Sequence, residues 1–127
     1  MTEEEINKFE KIQGQIKGLY NEIGTLSKKN PNDALNKFKL KFINQLLVLS
    51  NAFLIGDYKP LEGFEQFEDD DLPTASDVTV ILEQYLNCFE KLRSDNIYQE
   101  RTRAWHWLVN GKPSEIRTTT PEKLREK

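Results

Sequence analysis

Phe9, Ile12, Ile16, Leu19, Ile23 and Leu26 recur at spacings of 3, 4, 3, 4 and 3. A strand repeats every two residues, so this pattern fits only a helix that lays all six side chains on one stripe. An apolar stripe of nearly three heptads has to be covered, either by another amphipathic element of the chain or by a second molecule. Thr2 and Glu5 form a capping box ahead of it, each side chain able to satisfy the other residue's free backbone amide. The spacing predicts a helix from there to about Lys28. Its seam, with Phe9, Ile16 and Ile23 along the middle, is a candidate for bundle packing or for a homodimer. Gly14 and Gly18 lie four apart on the opposite face and are read as tolerated, at about 1 kcal/mol of helix propensity each relative to alanine.

Asn30-Pro31-Asn32-Asp33 reads as a turn ending in a helix cap, which starts a second helix near Ala34. Leu35, Phe38, Phe42, Leu46, Leu49 and Phe53 form its stripe, and from Leu46 onward Leu47, Val48, Leu54 and Ile55 make it apolar on nearly every side. This half is expected to be the buried centre of the fold. Gly56-Asp57 ends it, and Tyr58 to Ser76, with Pro60 and Pro73, reads as a long loop. Thr74 and Asp77 make a second capping box, followed by Val78, Leu82, Tyr85, Phe89 and Leu92 at helical spacing. After Ser94-Asp95-Asn96 the phase shifts, and Tyr98, Arg101, Trp105 and Leu108 read as a kinked continuation or a fourth helix. Asn110-Gly111-Lys112-Pro113 reads as its stop, and Thr120-Pro121-Glu122 as the start of one last short turn. The expected architecture is all-α: a small antiparallel bundle of three to four helices over residues 1–111, with one long acidic loop and a C-terminal tail over 112–127.

With 37% hydrophobic residues, 127 residues suffice for one core without a structural metal or a disulfide. The longest apolar stretch, Leu46 to Ile55, is interrupted by Ser50 and Asn51 and falls short of the roughly 20 residues of a bilayer span. The Met1-Thr2-Glu3-Glu4-Glu5 start is acidic, unlike a signal peptide, and the single Cys88 fits a reducing compartment. A cytoplasmic protein without membrane contact and without a cofactor is expected.

The net charge of −3, from 18 basic and 21 acidic residues, conceals three blocks. Residues 1–60 hold 9 basic and 7 acidic side chains, residues 61–100 hold 2 and 11, and residues 101–127 hold 7 and 3. The middle block is densest at Glu62, Glu65, Glu68, Asp69, Asp70 and Asp71, interleaved with Phe64 and Phe67. Such a loop can dock on a basic partner or fold back on the chain's own lysines. A cation site is the alternative, because hard cations require several carboxylate oxygens, but the order of a calcium-binding loop is absent. Glu62 and Glu65 match the first Glu-x-x-Glu pair by which helical nucleotide pyrophosphatases hold magnesium, and no second pair follows at helical spacing.

Arginine beside tryptophan suits nucleic acid, with the guanidinium on phosphate and the ring on a base. Lys37, Lys39, Lys41, Arg103 and Trp107 are the candidates, with Trp107 expected to be exposed beside Arg103 and Trp105 expected in the core. An acidic chain is a poor generic binder of phosphate backbones. Catalysis has little to work with: His106, the only histidine, lies eighteen residues from Cys88, and no phosphate loop or nucleophile motif appears. The expectation is a non-enzymatic protein-protein interaction module or small accessory subunit, whose partner is another protein or a second copy. A nucleic-acid-binding accessory protein is the alternative, and a metal-dependent hydrolase at the acidic loop is the third.

Overall fold

The computed structural model describes residues 1–122. Three α-helices, α1 (Glu3–Lys29), α2 (Lys37–Phe53) and α3 (Ala75–Ser94), are followed by an antiparallel sheet of β1 (Ile97–Gln99), β2 (Trp105–Val109) and β3 (Lys112–Thr118) in the order β1-β2-β3. The fold is α+β. The all-α expectation fails after Ser94, and the boundary placed at residue 111 falls inside a β-hairpin rather than at the edge of a tail.

Both predicted capping boxes are formed. The Thr2 hydroxyl accepts from the Glu5 amide at 3.1 Å and the Glu5 carboxylate accepts from the Thr2 amide at 2.8 Å. Thr74 and Asp77 repeat the arrangement at 3.1 and 3.2 Å. The second helix starts later than the turn residues suggested, because residues 33–35 are held extended against the entry to α3. Ala34 and Thr74 form a bridge, and the Leu35 amide donates to the Pro73 carbonyl at 3.0 Å. Asn36 then caps α2, its side chain accepting from the Lys39 amide at 2.8 Å.

The seam of α1 lies inside the chain's own core. Phe9, Ile16 and Ile23 are wholly buried, covered mainly by α3, so a homodimer through this seam has no free surface to use. Phe9 is the hub where the three helices and β2 meet: its ring lies 6.0 Å from Phe53 on α2, 5.1 Å from Phe89 on α3 and 5.3 Å from Trp107 on β2, each edge to face.

The sheet caps that aromatic end. Asn110 and Gly111 take φ of 51° and 77° between the paired residues Val109 and Lys112. Positive φ at both central residues is the requirement of the two-residue hairpin turn that matches strand twist, so the expected helix stop is the tip of a hairpin. Trp107, expected to be exposed, is fully buried instead, with its indole N–H 3.4 Å from the Glu10 carboxylate. Trp105 is half-buried on the same side of β2.

A buried ion pair ties the end of β3 to α3. Glu90 and Arg93 are 5% and 4% exposed and meet in a two-pronged bridge, Nε to Oε1 at 2.9 Å and Nη2 to Oε2 at 2.7 Å. The remaining guanidinium donors reach the Thr118 hydroxyl and the carbonyls of Thr119 and Thr120, and the Glu122 amide donates to Glu90 at 2.9 Å.

Candidate functional site

Residues 60–72, within the long loop expected over Tyr58 to Ser76, lie along α2 as an ordered strap. Asn44 and Asn51 hold it in place. They are seven residues apart, two helical turns, so both project from the same side of α2. The Asn44 amide mimics a strand partner: its NH2 donates to the Phe67 carbonyl at 2.9 Å and its oxygen accepts from the Phe67 amide at 2.9 Å. Asn51 donates to the Glu65 carbonyl at 3.0 Å and accepts from the Tyr85 hydroxyl at 2.7 Å. Phe64 and Phe67 stack edge to face at 5.2 Å, both half-buried under the strap. Lys59 lies 4.0 and 3.9 Å from the carboxylates of Glu62 and Glu65. The sequence carried one signal for this arrangement, two asparagines at heptad spacing in the part of α2 that is otherwise mostly apolar.

The apolar faces therefore point inward and the carboxylates outward. Glu68, Asp69 and Asp70 form one wall of an open groove of about 1020 Å³, and Lys37, Lys41, Val48 and Leu49 of α2 form the other. Among the described residues, no ion pair within 4.0 Å involves Lys37, Lys39, Lys41, Glu68, Asp69, Asp70 or Asp71. Opposite charges share the groove without closing it.

Alongside the groove α2 leaves large apolar groups in water. Phe38 is 82% exposed, Val48 53%, Leu49 51% and Phe42 42%. The expectation that α2 becomes the buried centre from Leu46 onward holds for one side only. Leu46, Leu47 and Leu54 are buried, whereas Val48, Leu49 and Ile55 face outward because nothing packs over that side. Leu72, at the exit of the strap, is also exposed, and it holds a left-handed φ of 47°. The hydrogen bond between Leu35 and Pro73 places Leu72 at the same end of the molecule as Phe38.

The nucleic-acid candidates do not assemble. Lys37, Lys39 and Lys41 stand at the start of α2, beside the end of α1, while Arg103 in the β1–β2 turn and Trp107 on β2 lie at the sheet, beside the start of α1. Some 17 residues of α1 separate the two ends, about 25 Å of helix. With Trp107 buried, the proposed stacking ring is unavailable to a base.

His106 projects to the face of β2 opposite Trp107, where Nδ1 lies 2.7 Å from Glu100 Oε2 but off the line of a well-formed hydrogen bond. Cys88, half-buried on α3, has its thiol pushed up by burial, a trend that Lys91 partly offsets. Every polar atom of Glu90 and Arg93 already has a partner, leaving none for a ligand. Among the described residues no three His, Cys, Asp or Glu side chains converge as a metal set, and the strap carboxylates fan outward. No protein-family model, curated protein or solved structure matches this chain.

Proposed function

We propose that the protein is a non-enzymatic interaction module that docks through the outer face of α2 and the acidic strap. The observation that carries this reading is the row of Phe38, Phe42, Val48 and Leu49, exposed together on one helix beside the carboxylates of Glu68 to Asp71, which have no ion pair among the described residues. Scattered exposed apolar residues are ordinary on a monomer, but a contiguous set rimmed by charge marks a surface that another macromolecule covers. A helix presenting aromatic and aliphatic anchors beside a polar rim is the anatomy of a protein interface. The single half-buried Cys88 supports a reducing, cytoplasmic setting for that encounter.

Site-specific photo-crosslinking tests the assignment. A photoreactive phenylalanine analogue in place of Phe38 is expected to yield a discrete protein adduct in the native cell, while the same group in place of exposed Gln15 on α1 yields none. Equal labelling from both positions, or none from either, overturns it.

A further inference from the structure

We propose that the occupant of this face is a second copy of the same chain, paired about a twofold axis with the outer faces of the two α2 helices in contact. The inference rests on the docking assignment above and names its partner. The argument is charge complementarity. The face carries two ammonium groups, Lys37 and Lys41, across the groove from the carboxylates of Glu68, Asp69 and Asp70 and beside exposed apolar side chains, and none of the five is ion-paired among the described residues. An anionic membrane or a nucleic acid would suit the lysines and be repelled by the strap, and a uniformly basic partner would meet the reverse. The partner that fits presents both signs around apolar anchors, and this chain does so itself. In an isologous pair each attraction is made twice, lysines of one copy against strap carboxylates of the other.

Size sets the expected strength. α2 is about 25 Å long and, with the strap beside it, about 20 Å wide, so each copy offers a footprint of roughly 500 Å². That is below the roughly 800 Å² per partner of a standard interface. A dissociation constant in the micromolar range is therefore expected, with an equilibrium between monomer and dimer.

Sedimentation equilibrium of the full chain, from about 1 to 500 µM at physiological salt, is expected to show a weight-average mass rising from 14.9 kDa toward twice that value. Phe38→Glu and Leu49→Lys, at positions at least half in water, are expected to hold the mass at the monomer value while circular dichroism, and melting at about 1 µM where monomers prevail, stay unchanged. A charge exchange then isolates the pairing between copies. A chain with Lys37→Glu and Lys41→Glu, and another with Asp69→Lys and Asp70→Lys, should each dimerise at least tenfold more weakly. Their mixture should recover a heterodimer to within about threefold of the original affinity, because each restores what the other lost. A mass that stays at 14.9 kDa throughout overturns the proposal, as does dimerisation that survives Phe38→Glu, or a mixture that recovers nothing. A persistent monomer that still gives a discrete adduct with a different protein from position 38 overturns self-pairing and leaves the docking assignment standing. Loss of both results removes both.

Discussion

The two sides of α2 differ in what they leave unfinished. Toward α1, apolar surface is sealed from water and Phe9 meets three other rings. On the sheet side of that core the buried charges of Glu90 and Arg93 are saturated with hydrogen bonds. Toward solvent, the same helix exposes Phe38, Val48 and Leu49, and Lys37 and Lys41 face carboxylates they do not touch. A folded chain gains by burying apolar area and pairing buried charge. The first side has completed both within one molecule, and on the proposed reading the second completes them with another. Stability is therefore expected to reside in one half and association in the other.

The sharpest way to break that division is Arg93→Met. It leaves Glu90 buried without its counter-ion and frees the segment from Thr118 to Glu122, so a loss of about 3–5 kcal/mol in urea unfolding is expected. The double substitution with Glu90→Gln should recover part of it, because an uncompensated charge is costlier than an absent pair. An Arg93→Met loss below about 1 kcal/mol would show that the clamp contributes little.

The strap lies between the two halves, and Asn44→Ala measures how firmly it is held. Removing the side-chain amide strands the Phe67 N–H and carbonyl, at an expected cost of about 1–3 kcal/mol. Hydrogen exchange should accelerate around residue 67 while the amides of α1 remain protected. Uniform acceleration would mean that the strap belongs to the global folding unit instead.

How far the sequence foretold this division depends on the element. The α1 seam and both capping boxes were legible because one helix period and one cap chemistry admit few other readings. The sheet was not, because β1, β2 and β3 are three, five and seven residues long. Strands this short give too few alternations to outweigh a chance helical spacing such as Tyr98, Arg101, Trp105 and Leu108. Asn110-Gly111 was the overlooked signal, since the dipeptide serves a hairpin turn as well as a helix end. The groove was half legible: the acidic block stood out in the charge arithmetic. Which side of α2 would stay bare depended on where α1 and the strap packed, a tertiary fact that the all-round apolar pattern after Leu46 obscured.

A smaller effect is expected from alkaline pH at the far end of the strap. The Tyr58 hydroxyl donates to Asp95 at 2.6 Å, and that hydrogen bond, with burial and the nearby carboxylate charge, raises its phenol from 10.0 to about 12. The folded state then holds this proton more tightly than the unfolded chain does. The resulting stabilisation is complete below pH 10 and is lost as pH climbs through about 12. Tyr85 also titrates near 12, in its case chiefly from burial. Absorbance titration should show late ionisation of both, and Asp95→Asn should move only Tyr58 back toward its ordinary value. A Tyr58 that titrates normally in the unaltered chain would show that the contact with Asp95 does not persist in solution.

The smallest expected effect tests the comparison most directly. Leu49→Ser alters a side chain that is half in water, so at about 1 µM, where monomers prevail, its unfolding free energy should stay within about 0.5 kcal/mol of the original. A buried leucine on the inner side of the same helix, Leu47, has no such tolerance. Concentration separates stability from association at this position. Binding that occurs only between folded copies adds to apparent stability by mass action, so the melting temperature of the unaltered chain should rise with protein concentration. The Leu49→Ser chain should melt at one temperature across the same range. Parallel concentration dependence in both would mean that α2 contributes nothing to association, and a large loss at 1 µM would mean that its outer face belongs to the monomer's own packing.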